Sequence, residues 1–182
     1  DSSSEEEQTF SPAELFSKVS PAVVTISVRG SRGVDRTGSG TGFFIDDQGT
    51  IVTNHHVIEH AQSVGIKLIG QRYQGGFQWL NEVELLIADE ELDLALLRVP
   101  HPEGIDPIPL GDSEEVDVGS RIICIGNPLG LEHTLSDGLV SARRIHQGRR
   151  WVQMTAPISP GNSGGPVIAM NGRVVGVATA SI

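Results

Sequence analysis

From Ala22 onward the apolar residues fall into short, largely β-branched runs separated by glycine, proline or aspartate. They occupy residues 23–28, 42–45, 51–53, 64–69, 83–88 and 94–99, then 121–125, 135–145, 151–154, 166–168 and 174–178. Many short strands at close spacing, with almost no helical period between them, predict an all-β sandwich or barrel rather than a βαβ fold. One helix precedes them. Ser11-Pro12-Ala13-Glu14 is a capping box with proline at the first helical position, and Phe10 and Leu15 are spaced for a hydrophobic staple. The helix is expected to run to about Val19 and to end before Pro21. Residues 1–9, DSSSEEEQT, hold no apolar anchor and are expected to be a disordered acidic leader.

Residues 101–115 are polar and carry Pro102, Pro107 and Pro109. This stretch reads as a crossover between an N-terminal half at about 22–100 and a C-terminal half at about 116–182. No solenoid-length repeat is visible. At 182 residues the chain suits one compact unit of about 150 to 200 residues. No run approaches the roughly 18 apolar residues of a membrane helix, so no membrane span is expected. The chain begins at Asp1 without methionine or signal peptide, which suggests a processed or trimmed form.

Charge and cysteine content narrow the function classes. Thirteen basic against 23 acidic side chains give a net charge of −10, which disfavours a nucleic-acid partner. Arg143, Arg144, Arg149 and Arg150 cluster around a turn and read as a solvated loop. A single cysteine, Cys124, excludes an intrachain disulfide. It lies in the apolar run Ile122-Ile123-Cys124-Ile125, where a buried, inert thiol is expected.

Three segments carry candidate chemistry. In Gly161-Asn162-Ser163-Gly164-Gly165-Pro166, glycines flank a serine, so a tight turn can aim the amides of Gly161 and Ser163 at one point. Such preorganised donors stabilise a developing oxyanion, each contributing about 2.7 to 4 kcal/mol. Taken alone, the segment is equally an ordinary hairpin turn. In 51–58, IVTNHHVI, a strand runs into a corner with His55 and His56; a serine hydroxyl requires a neighbouring base, and imidazole suits that role. His56 and His60 have i, i+4 spacing, but no third ligand follows in a zinc pattern, so neither metal nor cofactor is expected. In 90–97, EELDLALL, Asp93 precedes an apolar strand. It either opens the strand as a polar turn residue or faces inward to accept from an imidazole Nδ1–H.

The order lifts all three above their separate readings. His56, then Asp93, then Ser163 matches the His, Asp, Ser order of chymotrypsin-like peptidases. The segments TGSGTGFFIDDQGTIVTNHHVI, DLALLRV, IGNPLGLEHTLSDGLVSARRI and PISPGNSGGPVI together resemble the protease domain of the HtrA/Deg family over roughly residues 10–180. The resemblance assigns the general base to His56 rather than His55, the orienting acid to Asp93 and the nucleophile to Ser163. It places the oxyanion hole at the amides of Gly161 and Ser163. It further implies two packed six-stranded antiparallel β-barrels, an endopeptidase acting on unfolded or damaged polypeptides in protein quality control, an extracytoplasmic location, and a homotrimer joined through N-terminal segments.

The segment Thr155-Ala156-Pro157-Ile158-Ser159-Pro160 has no acid that would recognise a basic residue. Ile158, opposite Thr179 and Ala180, therefore predicts a pocket for a small or medium aliphatic side chain. Several departures from the family pattern stand out. The last barrel strand is expected to be missing beyond Ile182, and no PDZ domain is expected within this chain. The 144–151 connection is short. Thr155 replaces an acid, and Pro157 a small residue. The competing reading is an inactive fold of the same type that binds polypeptides as a chaperone or adaptor.

Overall fold

The computed structural model describes residues 7–30, 37–69, 77–127, 133–159 and 161–179. Helix α1 spans Pro12–Val19, and its capping box forms as the sequence predicts. The Ser11 hydroxyl accepts from the Glu14 amide at 3.1 Å, and Glu14 Oε1 accepts from the Ser11 amide at 3.0 Å. The bonds from the Ser11 backbone and side chain hold the Glu14 carboxyl below its usual range, against a small desolvation effect. The helix ends on a short 3-10 turn, Ser20–Ala22, and buries Leu15 and Val19. The leader is anchored earlier than Phe10. Glu7 Oε1 accepts from Asn171 Nδ2 at 2.8 Å, and the Phe10 amide donates to the Met170 carbonyl at 2.8 Å. Residues 1–6 of the expected leader lie outside the described residues.

The first sheet holds β1 (Val23–Gly30), β2 (Thr37–Phe44), β3 (Thr50–Thr53), β4 (Ala61–Ile69), β5 (Phe77–Leu80), β6 (Glu84–Asp89) and β7 (Leu94–Arg98). Its spatial order is β5-β4-β1-β2-β3-β7-β6. The second sheet holds β8 (Arg121–Gly126), β9 (Thr134–His146), β10 (Arg149–Met154), β11 (Pro166–Ala169) and β12 (Val174–Val177), in the order β10-β9-β8-β11-β12. All pairs within the sheets are antiparallel, and both sheets curl into half-barrels. Among the described residues the strands divide seven to five rather than six and six. The additional strand in the first sheet is β5. Its Phe77 and Trp79 are exposed, so it lacks the buried alternation that announces a strand.

Strand β8 shows how one core serves both halves. Ile123 and Ile125 face the large cluster that contains Leu15, Val19, Ile26, Phe43, Phe44 and Ile51. Ile122 and Cys124, on the other face, join Val116, Val140, Ala156, Val167 and Ala178. A strand covered on both sides reads as a continuous apolar run, as residues 122–125 do. Each fully buried isoleucine contributes about 1.5 to 3 kcal/mol. Burial also pushes the Cys124 thiol up to about 12, which leaves it a small apolar side chain rather than a nucleophile.

The crossover is tied to both sheets. The Ile108 amide donates to the Phe44 carbonyl at 3.0 Å, while Gly111 and Pro109 exchange backbone bonds with Val174 at 2.8 and 2.9 Å. In the β9–β10 hairpin, Arg143 and Arg150 both pair with Glu114 of the crossover, one carboxylate shared by two of the four arginines. No helix of the described residues is long and apolar enough to cross a membrane.

Candidate active site

The β3–β7 register sets the geometry of the first half of the site. Thr53 pairs with Ala95, so the chain leaving β3 and the chain entering β7 meet just beyond the last pair. The first continues as a single helical turn, α2 (His55–Ile58), which carries His56. The second begins at Asp93, with φ of +53°. A non-glycine residue in this region is uncommon, though aspartate tolerates it better than most. Here it is held by three bonds. The Asp93 amide donates to the Glu90 carbonyl at 3.3 Å, and the Leu92 amide beside it to Asp89 Oδ1 at 2.9 Å. The buried Asn54 side chain donates to the Asp93 carbonyl at 3.0 Å.

The Asp93 carboxylate grips His56 twice. Its Oδ1 accepts from the His56 backbone amide at 2.9 Å, and its Oδ2 lies 2.7 Å from His56 Nδ1. A carboxylate only accepts, so Nδ1 carries the proton, and in the neutral ring Nε2 keeps its lone pair. Thr179 Oγ1 also donates to Asp93 Oδ2, at 3.4 Å. His55 is partly buried on the same turn and has no carboxylate partner among the described residues, and His60 pairs with Glu59 at 3.1 Å.

The second half of the site is the turn that leads into β11. Gly161 has φ of +99°, and the Asn162 amide donates to the Ser159 carbonyl at 3.0 Å. Ser163 follows, 6% exposed. Gly164, with φ of +90°, donates to the Ala178 carbonyl at 2.8 Å, and Ala178 donates back to Gly165 at 2.9 Å. Thr179, the next residue, reaches Asp93, so one short segment touches both halves of the site. A Cβ on Gly164 would sit 2.0 Å from the Thr41 carbonyl oxygen and 2.5 Å from Thr53 Oγ1. The absence of a side chain there lets the serine turn close onto the end of β3, next to α2.

Of the remaining expected site residues, Ile158 packs against the apolar cluster that includes Ala156 and Ala178. Thr179 makes the carboxylate contact described above, a link its sequence position did not announce. Ala180 lies outside the described residues. Thr155 binds β9 through backbone and hydroxyl, with Leu139 as partner at 3.0 and 2.8 Å, and the Pro157 carbonyl accepts from Ser136 at 2.9 Å. Among the described residues no three His, Cys, Asp or Glu side chains gather as a metal site.

Known proteins show the same arrangement of chain. The trypsin-like peptidase domain family matches residues 40–177. The chain is 39% identical over 152 residues to protease Do-like 1, chloroplastic, of Arabidopsis thaliana, covering 79% of this chain and 33% of that protein. It is 36% identical over 149 residues to a probable periplasmic serine endoprotease, DegP-like, of Chlamydia trachomatis, covering 79% and 28%. The solved structure of the HtrA-type protease AlgW with a tripeptide superposes with a TM-score of 0.78 at 28% identity, covering 92% of this chain and 54% of that one. The chain thus spans about a third or less of the length of these two curated relatives. With the domain match extending over most of the chain and the fold shared at this level, the chain belongs to the HtrA/Deg family of trypsin-like serine proteases.

Proposed function

We propose that the chain is the catalytic domain of a serine endopeptidase in which Ser163, His56 and Asp93 act as the triad. The observation that carries this reading is the double contact of Asp93 with His56, at 2.9 and 2.7 Å. It is joined through Thr179 to the segment that holds the Ser163 turn. The contact fixes the imidazole in the tautomer that leaves Nε2 able to take a proton.

In acylation the Ser163 oxygen bonds to the scissile carbonyl carbon while its proton passes to His56 Nε2. The carbonyl π pair moves onto oxygen, where the amides of Gly161 and Ser163 receive it. Collapse breaks the C–N bond, and the imidazolium returns the proton to the leaving amine. Water then repeats the sequence with Ser163 as leaving group. Asp93 stabilises the imidazolium without itself being protonated.

The substrate class is unfolded polypeptide, cut after small or medium aliphatic residues. Ile158 and the buried Ala156 and Ala178 supply an apolar surface, and no carboxylate lies in 155–160. Cleavage of a peptide library after lysine or arginine would exclude that preference. Division into halves at about 22–100 and 116–182 puts the site in the cleft between them. By family relation the proposal extends to an extracytoplasmic location and a homotrimer joined through N-terminal segments; sedimentation at monomer mass would rule out the trimer.

The deciding experiment is covalent labelling with a fluorophosphonate probe, which captures a working serine without requiring the natural substrate. Labelling is expected in the wild type and absent from Ser163→Ala and His56→Ala. A folded wild type that does not label would overturn the reading in favour of a polypeptide-binding module.

A further inference from the structure

Three consecutive peptide units run through the serine turn, and each is held. Gly161–Asn162 is bound at its carbonyl by the Thr41 hydroxyl, 2.6 Å away, and at its amide by the Ser159 carbonyl, 3.0 Å away. In Asn162–Ser163 the carbonyl accepts from the Gly165 amide at 3.0 Å, so the Ser163 N–H points the opposite way across a planar trans peptide. Ser163–Gly164 is bound at its carbonyl by the Thr41 amide, 2.9 Å away, and at its amide by Ala178, 2.8 Å away. One residue, Thr41, therefore holds the first and third units.

Thr41 is fully buried on β2, 120 positions before Gly161. Pairing of β2 with β3 ends at Phe43↔Val52, which leaves the Thr41 amide to donate to the Ser163 carbonyl in the other half of the molecule. The Thr41 carbonyl accepts from Thr53 Oγ1 at 2.8 Å, immediately before the histidine turn. Its hydroxyl is also the acceptor for the Asn127 amide at 3.0 Å, at the end of β8. The hydroxyl thus donates once and accepts once, and its rotor is fixed.

We propose that Thr41 is a positioning residue that sets the orientation of the Ser163 amide relative to His56, by holding the peptide units on either side of the one that carries it. The proposal rests on the peptidase reading given above. Gly161, at φ of +99° and without a side chain, has no steric restraint of its own against rotation of its peptide planes. The Thr41 bond supplies that restraint for the Gly161–Asn162 plane, which precedes the one carrying the Ser163 amide. Oxyanion donors act on the transition state rather than on bound substrate. Loss of the hydroxyl is therefore expected to reduce kcat while leaving KM nearly unchanged.

The test compares Thr41→Val, which keeps the branched shape and removes the hydroxyl, with Thr41→Ser, which restores it. The readouts are the rate of fluorophosphonate labelling, kcat per labelled site and KM on a fluorogenic peptide with valine before the cleaved bond, and Tm. Thr41→Val is expected to lower both rates on the order of tenfold or more with KM within about twofold, and Thr41→Ser to recover most of the loss. Should the valine variant not fold, Thr41→Cys tests the hydroxyl with less change in volume. Normal rates per labelled site in the valine or cysteine variant would overturn the proposal. So would a serine variant as impaired as they are. A wild type that does not label fails the peptidase reading itself, a result separable from normal rates in the variants.

Discussion

Single residues in this site are constrained by what surrounds them more than by their own chemistry. Gly164 and Gly148 make the contrast measurable. Both have positive φ, +90° and +75°, but a Cβ on Gly164 meets the Thr41 carbonyl at 2.0 Å, whereas one on Gly148 meets nothing within 4 Å. Gly148→Ala carries only the backbone strain of a left-handed residue, about 1 kcal/mol. Gly164→Ala adds overpacking against backbone and is expected to cost about 2 kcal/mol or more beyond that, with loss of fluorophosphonate labelling. Urea denaturation of the two variants checks this, and equal midpoints would refute the close packing. The glycines themselves were legible in the sequence as a serine turn. The residue that closes around them was not, because Thr41 lies in a glycine-rich stretch and its partners in the second half of the chain are 86 to 122 positions away.

At the scale of elements, local signals were the readable ones. Ser11, Pro12 and Glu14 announce α1, and the capping box forms with both of its bonds. Ser11→Ala is expected to cost about 1 kcal/mol, read as a lower urea midpoint with an unchanged slope. The Glu14 half of the box has its own pH dependence. Its folded carboxyl titrates below the ordinary 4.5, so its stabilisation is present above that value and is lost as pH falls through the lowered one. Strand ends shifted by up to a few residues because hydrogen bonding extends past the apolar run. β2 begins at Thr37, well before the apolar residues at 42–45, and its early residues pair with β1. β5 escaped notice for the opposite reason. It is held by four backbone pairs with β4 while its aromatic side chains stay exposed, with Lys67 over the Phe77 ring at 4.2 Å.

Across the whole molecule, the order His56, Asp93, Ser163 was legible because it is a property of the chain. The joining of the two halves was not, because it depends on bonds between distant segments. His133 is one such bond. At the start of β9, its Nε2 lies 2.7 Å from the Val23 carbonyl at the start of β1, and its ring meets Phe16 edge-on at 6.5 Å. A carbonyl accepts only, so the neutral ring donates from Nε2. Burial, opposed by that hydrogen bond, lowers the His133 pKa below 6.5. Between the lowered value and 6.5 the unfolded chain binds more protons than the folded one. Stability contributed by the neutral ring is therefore complete above 6.5 and declines as pH falls through the folded value. His133→Gln keeps a donor for the Val23 carbonyl and removes the titration. Urea midpoints at about pH 7.5 and about pH 5.5 should fall for the wild type and fall less for His133→Gln. An identical pH response in the two proteins would mean that this contact between halves does not carry the acid sensitivity.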